Sequence, residues 1–259
     1  MRDIKNLPEI NTAFILAGGR GKRMTSPSAL PEELNRQGFD PAKMHKSMIP
    51  VKGKPLLEYT VFWLKKWGVK KIILGVGYLK ESIINYFQDG QKWDINIKYV
   101  KHSPDGGTGD ALKEDIEKSG IEEEYFFAMN SDQLTSFPLE ELIRVHFSEL
   151  NGKKPLATIG IVYPVFPFGK VEWDPETQKI INFQEKPVVN VPASAGIYLL
   201  SREILPYLKG DLEKYTFPDL VREGRIKGYL YQGDWDTINT IKDWERINKK
   251  IKNQINNQF

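Results

Sequence analysis

Apolar residues fall in this chain as short solid runs separated by stretches of helical period. The run at 13–17, Ala-Phe-Ile-Leu-Ala, is long enough for one buried strand, and 71–76, 95–100 and 125–129 have the same character. Between them lie helical patterns. Pro55 suits a helix's first turn, and Leu56, Leu57, Phe62, Leu64 and Trp67 supply the apolar face of a helix ending at Gly68. Further helices are predicted at 81–88, 108–118 and 139–150, the last with Leu139, Leu142, Ile143, Val145 and Phe147 on or near its buried side. Strands alternating with amphipathic helices predict an α/β fold, a mostly parallel sheet flanked by helices, with ligands at the carboxyl ends of its strands.

The second half changes texture. Segments 157–162, 170–173, 180–184 and 193–200 are strand-like with short turns between them, which predicts an added antiparallel α+β portion. Short helices at 201–208 and 216–222, a strand at 228–232 and a closing helix from Ile241 follow; 252–259 is polar and expected to fray. No internal repeat or low-complexity linker divides the chain. The expectation is a single domain over 1–259, with fused halves at about 12–135 and 136–259.

With 259 residues, 40% of them hydrophobic, the chain can bury a sizeable core. Its 37 basic and 34 acidic residues form no long single-sign block, which argues against a nucleic-acid partner. The absence of cysteine excludes disulfides, thiolate catalysis and cysteine zinc sites. Met1 to Asn11 is polar where a leader would be apolar, and no apolar run approaches a membrane span, so a cytoplasmic protein without membrane contact is expected.

The run at 13–17 breaks directly into Gly18, Gly19 and Gly21, interleaved with Arg20, Lys22 and Arg23. Glycine lacks a Cβ, so backbone N–H groups can turn toward an anion and approach it closely while neighbouring cations balance its charge. Phosphate is the expected guest; a tight turn with solvated charges is the alternative. A P-loop requires Ser or Thr after Gly21-Lys22, where Arg23 stands, and the dinucleotide fingerprint requires a glycine where Met24 stands. The Pro-, Ser-, Asn- and Gly-rich segment 25–44, with a short helix around 32–36, reads either as a mobile flap beside the loop or as a surface insertion. Asp132 follows the strand at 125–129, where a carboxylate can hold Mg²⁺ together with substrate phosphates, or can cap a turn. A second carboxylate should close the site from the other half, and Asp234 and Asp236 are the candidates.

A series of motifs, in order along nearly the whole chain, resembles the sugar-phosphate nucleotidyltransferases (NDP-sugar pyrophosphorylases). The glycine loop to Met24 is followed by Lys46-x-x-x-Pro50-Val51 and Gly53-Lys54-Pro55, then by Gly107-Thr108-Gly109-Asp110-Ala111-Leu112 and Asn130-Ser131-Asp132. Phe168-Gly169-Lys170-Val171-Glu172, Glu185-Lys186-Pro187 and Ala195-Gly196-Ile197-Tyr198 complete the order. The resemblance implies a Rossmann-like fold and a Mg²⁺-dependent transfer between a nucleoside triphosphate and a sugar 1-phosphate. It assigns Leu16, Ala17, Gly18, Gly19, Gly21 and Arg23 to the nucleotide, with Lys46 reaching the phosphates and Gly107 and Thr108 against base and ribose. Asp132 would bind nucleotide and Mg²⁺, Asp236 would be the second metal ligand, and Gly169, Glu185, Lys186 and Ser194 would meet the sugar phosphate. Arg23, Lys46 and Lys186 are the implied catalytic cations.

Three departures from the family pattern stand out. Its usual Trp-x-Asp-Ile-Gly-Thr is here Trp235-Asp236-Thr237-Ile238-Asn239-Thr240, with the aspartate one position early. One position reverses the face of a strand, so Asp236 serves as a ligand only on a turn or bulge. Ser194 replaces the asparagine that usually precedes Ala-Gly-Ile-Tyr. Asp110 replaces a small residue, either to meet a purine's donor edge or to cap a helix. The wording is closest to guanylyltransferases acting on mannose or heptose 1-phosphate; glucose 1-phosphate with UTP, dTTP or CTP, and a non-catalytic nucleotide-sugar-binding regulator, are the rivals. Monomer and homo-oligomer both stay open.

Overall fold

The structure, a computed structural model, describes residues 7–21, 30–102, 106–148 and 152–254. Its strands are β1 (Thr12–Ala17), β2 (Pro50–Val51), β3 (Lys54–Pro55), β4 (Lys71–Val76), β5 (Asn96–Lys101), β6 (Tyr125–Asn130), β7 (Gln133–Thr135), β8 (Ala157–Val162), β9 (Gly169–Trp173), β10 (Ile180–Glu185), β11 (Ala193–Ser201), β12 (Ile226–Leu230) and β13 (Trp235–Thr237). Its helices are α1 (Glu32–Arg36), α2 (Leu56–Lys66), α3 (Lys80–Phe87), α4 (Thr108–Ser119), α5 (Leu139–Phe147), α6 (Phe217–Arg222) and α7 (Ile241–Gln254). The central sheet has the order β12-β8-β11-β6-β1-β4-β5. All its neighbours pair in parallel except β11, which runs antiparallel to both β6 and β8. Helices α2, α3 and α4 make the crossovers among the parallel strands. Because β6 returns to the side of β1 opposite β4, the connections diverge there, and a crevice opens at the carboxyl ends of β1 and β6.

Period-two alternation assigns the sheet's two faces. Ala13, Ile15 and Ala17 of β1 join Leu57, Val61 and Leu64 of α2 and Phe87 of α3 in one core. Phe14 points the other way, into a second core with Leu112 and Ile116 of α4. A third core unites distant parts of the chain: Leu34 and Phe39 with Ile49, Leu56, and Trp244 and Ile247 of α7. The Trp244 indole donates to the Pro50 carbonyl at 2.7 Å, and Asn248 donates to Glu33 at 3.1 Å.

That third core corrects the reading of 25–44 as a flap or surface insertion. Leu34 and Phe39 are buried, so the described part from Leu30 onward is anchored structure, while 25–29 lies outside the described residues. The added antiparallel portion is present: β11 is reversed in the central sheet, and further antiparallel pairing lies in separate two-stranded sheets, β9 with β10, β13 with β7 and β2 with β3. Other corrections are smaller. Phe62 is exposed, with the Lys54 ammonium 5.1 Å from its ring centroid. On α5 the residue that enters the core is His146 rather than Val145; its Nδ1 meets Thr158 Oγ1 at 2.8 Å, and burial lowers its pKa to about 4. Gly68 and Gly120, both at positive φ, end α2 and α4, supplying the left-handed residue that closes a helix.

Candidate active site

The loop after β1 is shaped by its neighbours. A Cβ on Gly18 would collide with the His102 ring, and a Cβ on Gly77 would crowd the Gly18 carbonyl, which accepts the Tyr78 N–H at 3.3 Å. Gly21 has φ +58, and its Cα faces the Lys46 side chain. The Gly19 carbonyl meets Nε2 of His45 at 3.1 Å, while His45 Nδ1 lies 2.7 Å from Ser47 Oγ. Burial, and then the neighbouring Lys46 ammonium, depress the His45 pKa to about 4, so the imidazole is neutral at physiological pH. The bond to a carbonyl requires the proton on Nε2, which leaves Nδ1 to accept from the serine. In a planar trans peptide the N–H opposes the carbonyl, so anchoring the Gly19 oxygen on His45 directs the next N–H away from it, as an anion-binding loop requires.

Lys46 opens a single 3₁₀ turn, Lys46–Met48, and donates to Asp132 Oδ2 at 2.5 Å. Asp132 sits in the tight turn between β6 and β7, and its backbone oxygen accepts the Ile238 N–H at 2.9 Å. These groups share a cleft of about 260 Å³ at the carboxyl ends of β1, β5 and β6. It is lined by Leu16, Gly18, Gly19, Lys46, Gly107, Thr108 and Asp132, all anticipated from sequence, and by His102, Gly106, Ala111, Asn130 and Ser131. Ala17 is buried in the core beside it. Arg23 falls in 22–29, outside the described residues.

At the start of α4 the second half of the chain closes on the first. A Cβ on Gly107 would strike the Gly210 backbone. Thr108 Oγ1 donates to Glu213 at 3.2 Å and accepts the Leu212 N–H at 2.9 Å, and Asp110 accepts the Gly210 N–H at 2.9 Å. Asp110 thus clamps a crossing loop rather than lining the cleft. Tyr198 donates to the other Glu213 oxygen at 3.0 Å, and Ser194 Oγ accepts the Gly196 N–H at 3.2 Å. Ser194, Gly169, Glu185 and Lys186 do not line the cleft; Gly169 and Glu185 are cross-strand partners at the base of the β9–β10 hairpin, and Lys186 follows with φ +46.

The nucleotidyl transferase family model matches residues 12–254. The chain belongs to the nucleotidyl transferase family. Among curated relatives it is 29% identical over 238 residues to a mannose-1-phosphate guanylyltransferase catalytic subunit beta of Xenopus tropicalis, covering 90% of this chain and 62% of that protein. It is also 29% identical to a UTP–glucose-1-phosphate uridylyltransferase of Synechocystis, covering 95% of this chain and 64% of that one. The chain therefore spans less than two thirds of the length of these relatives. Among solved structures, HddC from Yersinia pseudotuberculosis complexed with GMP-PN superposes with a TM-score of 0.68 at 22% identity, covering 93% of this chain and all of that one. A putative glucose-1-phosphate thymidylyltransferase from Bacillus anthracis has a TM-score of 0.66 at 20% identity, covering 92% and 94%. These likenesses carry the fold.

In this chain β13 is a regular strand paired with β7, without the bulge that Asp236 would need to reach Asp132. Asp236 turns to α7, where Arg246 holds one oxygen at 2.5 Å and Lys250 the other at 2.9 Å; Lys250 also holds Asp234 at 2.7 Å. The role of second metal ligand is thus unsupported by the geometry of Asp236, and Thr237 occupies the position where the family pattern has its aspartate. Sequence reasoning also missed His45, His102 and Asp115. Asp115, on α4, fills the space of the absent Gly75 side chain, and burial pushes its carboxyl up to about 8. Among the described residues neither of its oxygens has a hydrogen-bond partner. A glycine inside an otherwise apolar strand signals such a close approach, and Gly75 in β4 was that signal.

Proposed function

We propose that the chain transfers a nucleotidyl group from a nucleoside triphosphate to a sugar 1-phosphate, giving an NDP-sugar and pyrophosphate. The observation that carries this reading is the Lys46–Asp132 pair facing the glycine loop across a cleft at the sheet's carboxyl edge, in a chain matched by the family model over 12–254. A phosphate oxygen of the sugar 1-phosphate forms the new bond to the α-phosphorus as the bond to pyrophosphate breaks. That nucleophile is ionised at neutral pH, so the chain needs no general base. Its tasks are to align two polyanions and to neutralise their charge. In this assignment the glycine loop and Arg23 hold the triphosphate, Lys46 faces its reacting end, and Gly107 and Thr108 border base and ribose. Gly169, Glu185, Lys186 and Ser194 take the sugar phosphate. The nucleotide falls to 12–135 and the acceptor to 136–259.

No group of three or more His, Asp or Glu suited to a metal occurs among the described residues. Asp132, one shielded carboxylate beside a phosphate-sized cleft, fits Mg²⁺, which takes its remaining ligands from phosphates and water. When bound there Mg²⁺ would neutralise charge on the α-phosphate.

GTP with mannose or heptose 1-phosphate is the pair we favour. Support comes from the phrases Leu57-Glu58-Tyr59, Trp63-Leu64-Lys65-Lys66 and Gly75-Val76-Gly77-Tyr78, which resemble the wording of such guanylyltransferases, and from the names of the guanylyltransferase relatives. UTP, dTTP or CTP with glucose 1-phosphate is the near alternative, supported by the name of the Synechocystis relative. A specific observation also favours a second reading, a nucleotide-sugar-binding regulatory protein: Asp236 is engaged by Arg246 and Lys250. No helix among the described residues is long and apolar enough to cross a membrane, and we take the compartment to be the cytoplasm. Pyrophosphate release with Mg²⁺, for GTP, UTP, dTTP, CTP and ATP against mannose, glucose and heptose 1-phosphates, tests all of this. Release requiring one pair identifies both substrates; none with any pair, from folded protein that binds an NDP-sugar, selects the regulator.

A further inference from the structure

Asp115 has no task in the reaction proposed above, and it weakens the fold that holds it. Its side chain is fully buried on the face where α4 packs against β1, β4 and β5. The side chains gathered there are apolar: Phe14, Ile73 and Val100 share one core with Leu112 and Ile116. Neither carboxyl oxygen has a hydrogen-bond partner among the described residues. A buried polar group in that condition is costly, and an apolar side chain in its place is often neutral or stabilising. The carboxyl also requires Gly75, because a Cβ at that position would collide with Oδ2. Glycine inside a strand is itself destabilising. Two positions thus depart from what stability alone would select, and both departures make room for a carboxyl beside one imidazole.

That imidazole belongs to His102. Its Nε2 lies 3.9 Å from Asp115 Oδ1, and only 4% of the His102 side chain is exposed. The other charged groups that act on Asp115 are Glu114 and Lys118 of its own helix, which pair with each other. The His102 N–H donates to the Val76 carbonyl at 3.1 Å, fixing the residue at the end of β5. The ring fills the space of the absent Gly18 side chain, where a Cβ would collide with Cε1. A line of contact therefore runs from Asp115 in the core, through His102, to the first residue of the glycine loop. His45 holds the next residue by the Gly19 carbonyl, so two imidazoles from different parts of the chain fix consecutive residues of that loop.

We propose that Asp115 is a positioning residue for the glycine loop, holding the His102 imidazole against Gly18 so that the loop keeps the shape that receives a triphosphate. The 3.9 Å separation exceeds a charge-assisted hydrogen bond by about 1 Å, so a small shift of the ring or of α4 turns the contact into a bond. That the ligand is a triphosphate rests on the function proposed above; the pairing of carboxyl and imidazole does not.

The pairing is read without ligand. The chain has three histidines, and His102→Gln assigns the His102 signal among the imidazole resonances. Burial pushes the Asp115 carboxyl up to about 8, so the His102 signal should shift with an inflection near that pH, and Asp115→Ala should abolish it. A His102 signal that stays constant between about pH 7 and 9 overturns the proposal, and the wild type alone decides this if Asp115→Ala does not fold. The effect on the loop is read from calorimetric binding of GTP, UTP, dTTP, CTP and ATP with Mg²⁺. Asp115→Ala should weaken the triphosphate about tenfold, as for one aligned hydrogen bond, yet melt no lower than the wild type. A carboxyl with a merely structural role would move affinity and melting together. Asp115→Asn, which keeps an acceptor, should recover most of the affinity, and Asp115→Ala should add nothing in a His102→Gln background. Unchanged affinity in Asp115→Ala, or losses that multiply in the double variant, overturns the proposal. A wild type that shows the His102 inflection but binds no nucleotide refutes the functional reading and the role of the loop with it, leaving the pair intact.

Discussion

Lys46→Met keeps the length of the side chain but removes the ammonium that faces Asp132 at 2.5 Å. At an effective dielectric constant near 20, unit charges at that distance attract by roughly 7 kcal/mol. Desolvation and the ordering of two side chains offset most of it, and 19% of the lysine and 12% of the aspartate side chain still meet solvent. The net coupling expected is about 2 kcal/mol, that of a charge-assisted hydrogen bond. In a domain of this size about 2–4 °C of melting temperature corresponds to 1 kcal/mol, so Lys46→Met should melt about 4–8 °C lower. Asp132→Asn should lose a comparable amount, and the double variant little more than either single one. Calorimetry of the four proteins, in chelator and without substrate, closes the cycle. Additive losses, with an interaction below ~0.5 kcal/mol, would show that the two groups do not hold each other and would remove the electrostatic basis for placing Lys46 at the site.

Asp132→Ala should abolish pyrophosphate release while the circular dichroism spectrum stays native; retained turnover removes it from the metal site. His45→Ala should raise the KM for the triphosphate about tenfold, as expected for the loss of one buried hydrogen bond of roughly 1.4 kcal/mol, with the KM for the sugar phosphate unmoved. Asp115 has a carboxyl pKa raised to about 8 in the fold and near its ordinary value when unfolded, so its ionisation favours the unfolded chain as pH rises. Its penalty is absent below about pH 4, grows to about pH 8 and is level above. Asp115→Asn should therefore gain stability over the wild type progressively across that window, read from urea midpoints at pH 5 and pH 8; a gain independent of pH would refute the assignment. Trp244→Ala, emptying the third core, should cost about 3–5 kcal/mol in urea unfolding.

Much of this was legible in the chain because its signals are local. Solid apolar runs mark β1, β4 and β6, the glycine cluster marks the loop after β1 with Gly18 and Gly19, and Asp132 stands just past β6; Lys46, Gly107 and Thr108 are brought to the same edge by the resemblance to the family pattern and not by any local signal. What could not be read depends on tertiary partners. His45 looks like a surface histidine until its ring is seen on the Gly19 carbonyl, and Asp115 looks like a solvated helix residue until Gly75 leaves room for it. Leu34 and Phe39 lie in a segment whose composition resembles a loop, yet they are buried because α7, some two hundred residues later, supplies their other wall. The side taken by Asp236 follows from the pairing of β13 with β7, three-residue strands too short to carry a periodic signal.

That wall has a consequence for synthesis. Ile49, Leu56 and Leu34 belong to the first quarter of the chain, but their core is completed only by Trp244 and Ile247. While the chain is still being translated, the turn that carries Lys46 must wait with its apolar underside uncovered, and it becomes rigid only when α7 emerges. The cleft beside Lys46 should therefore be among the last parts of this fold to set.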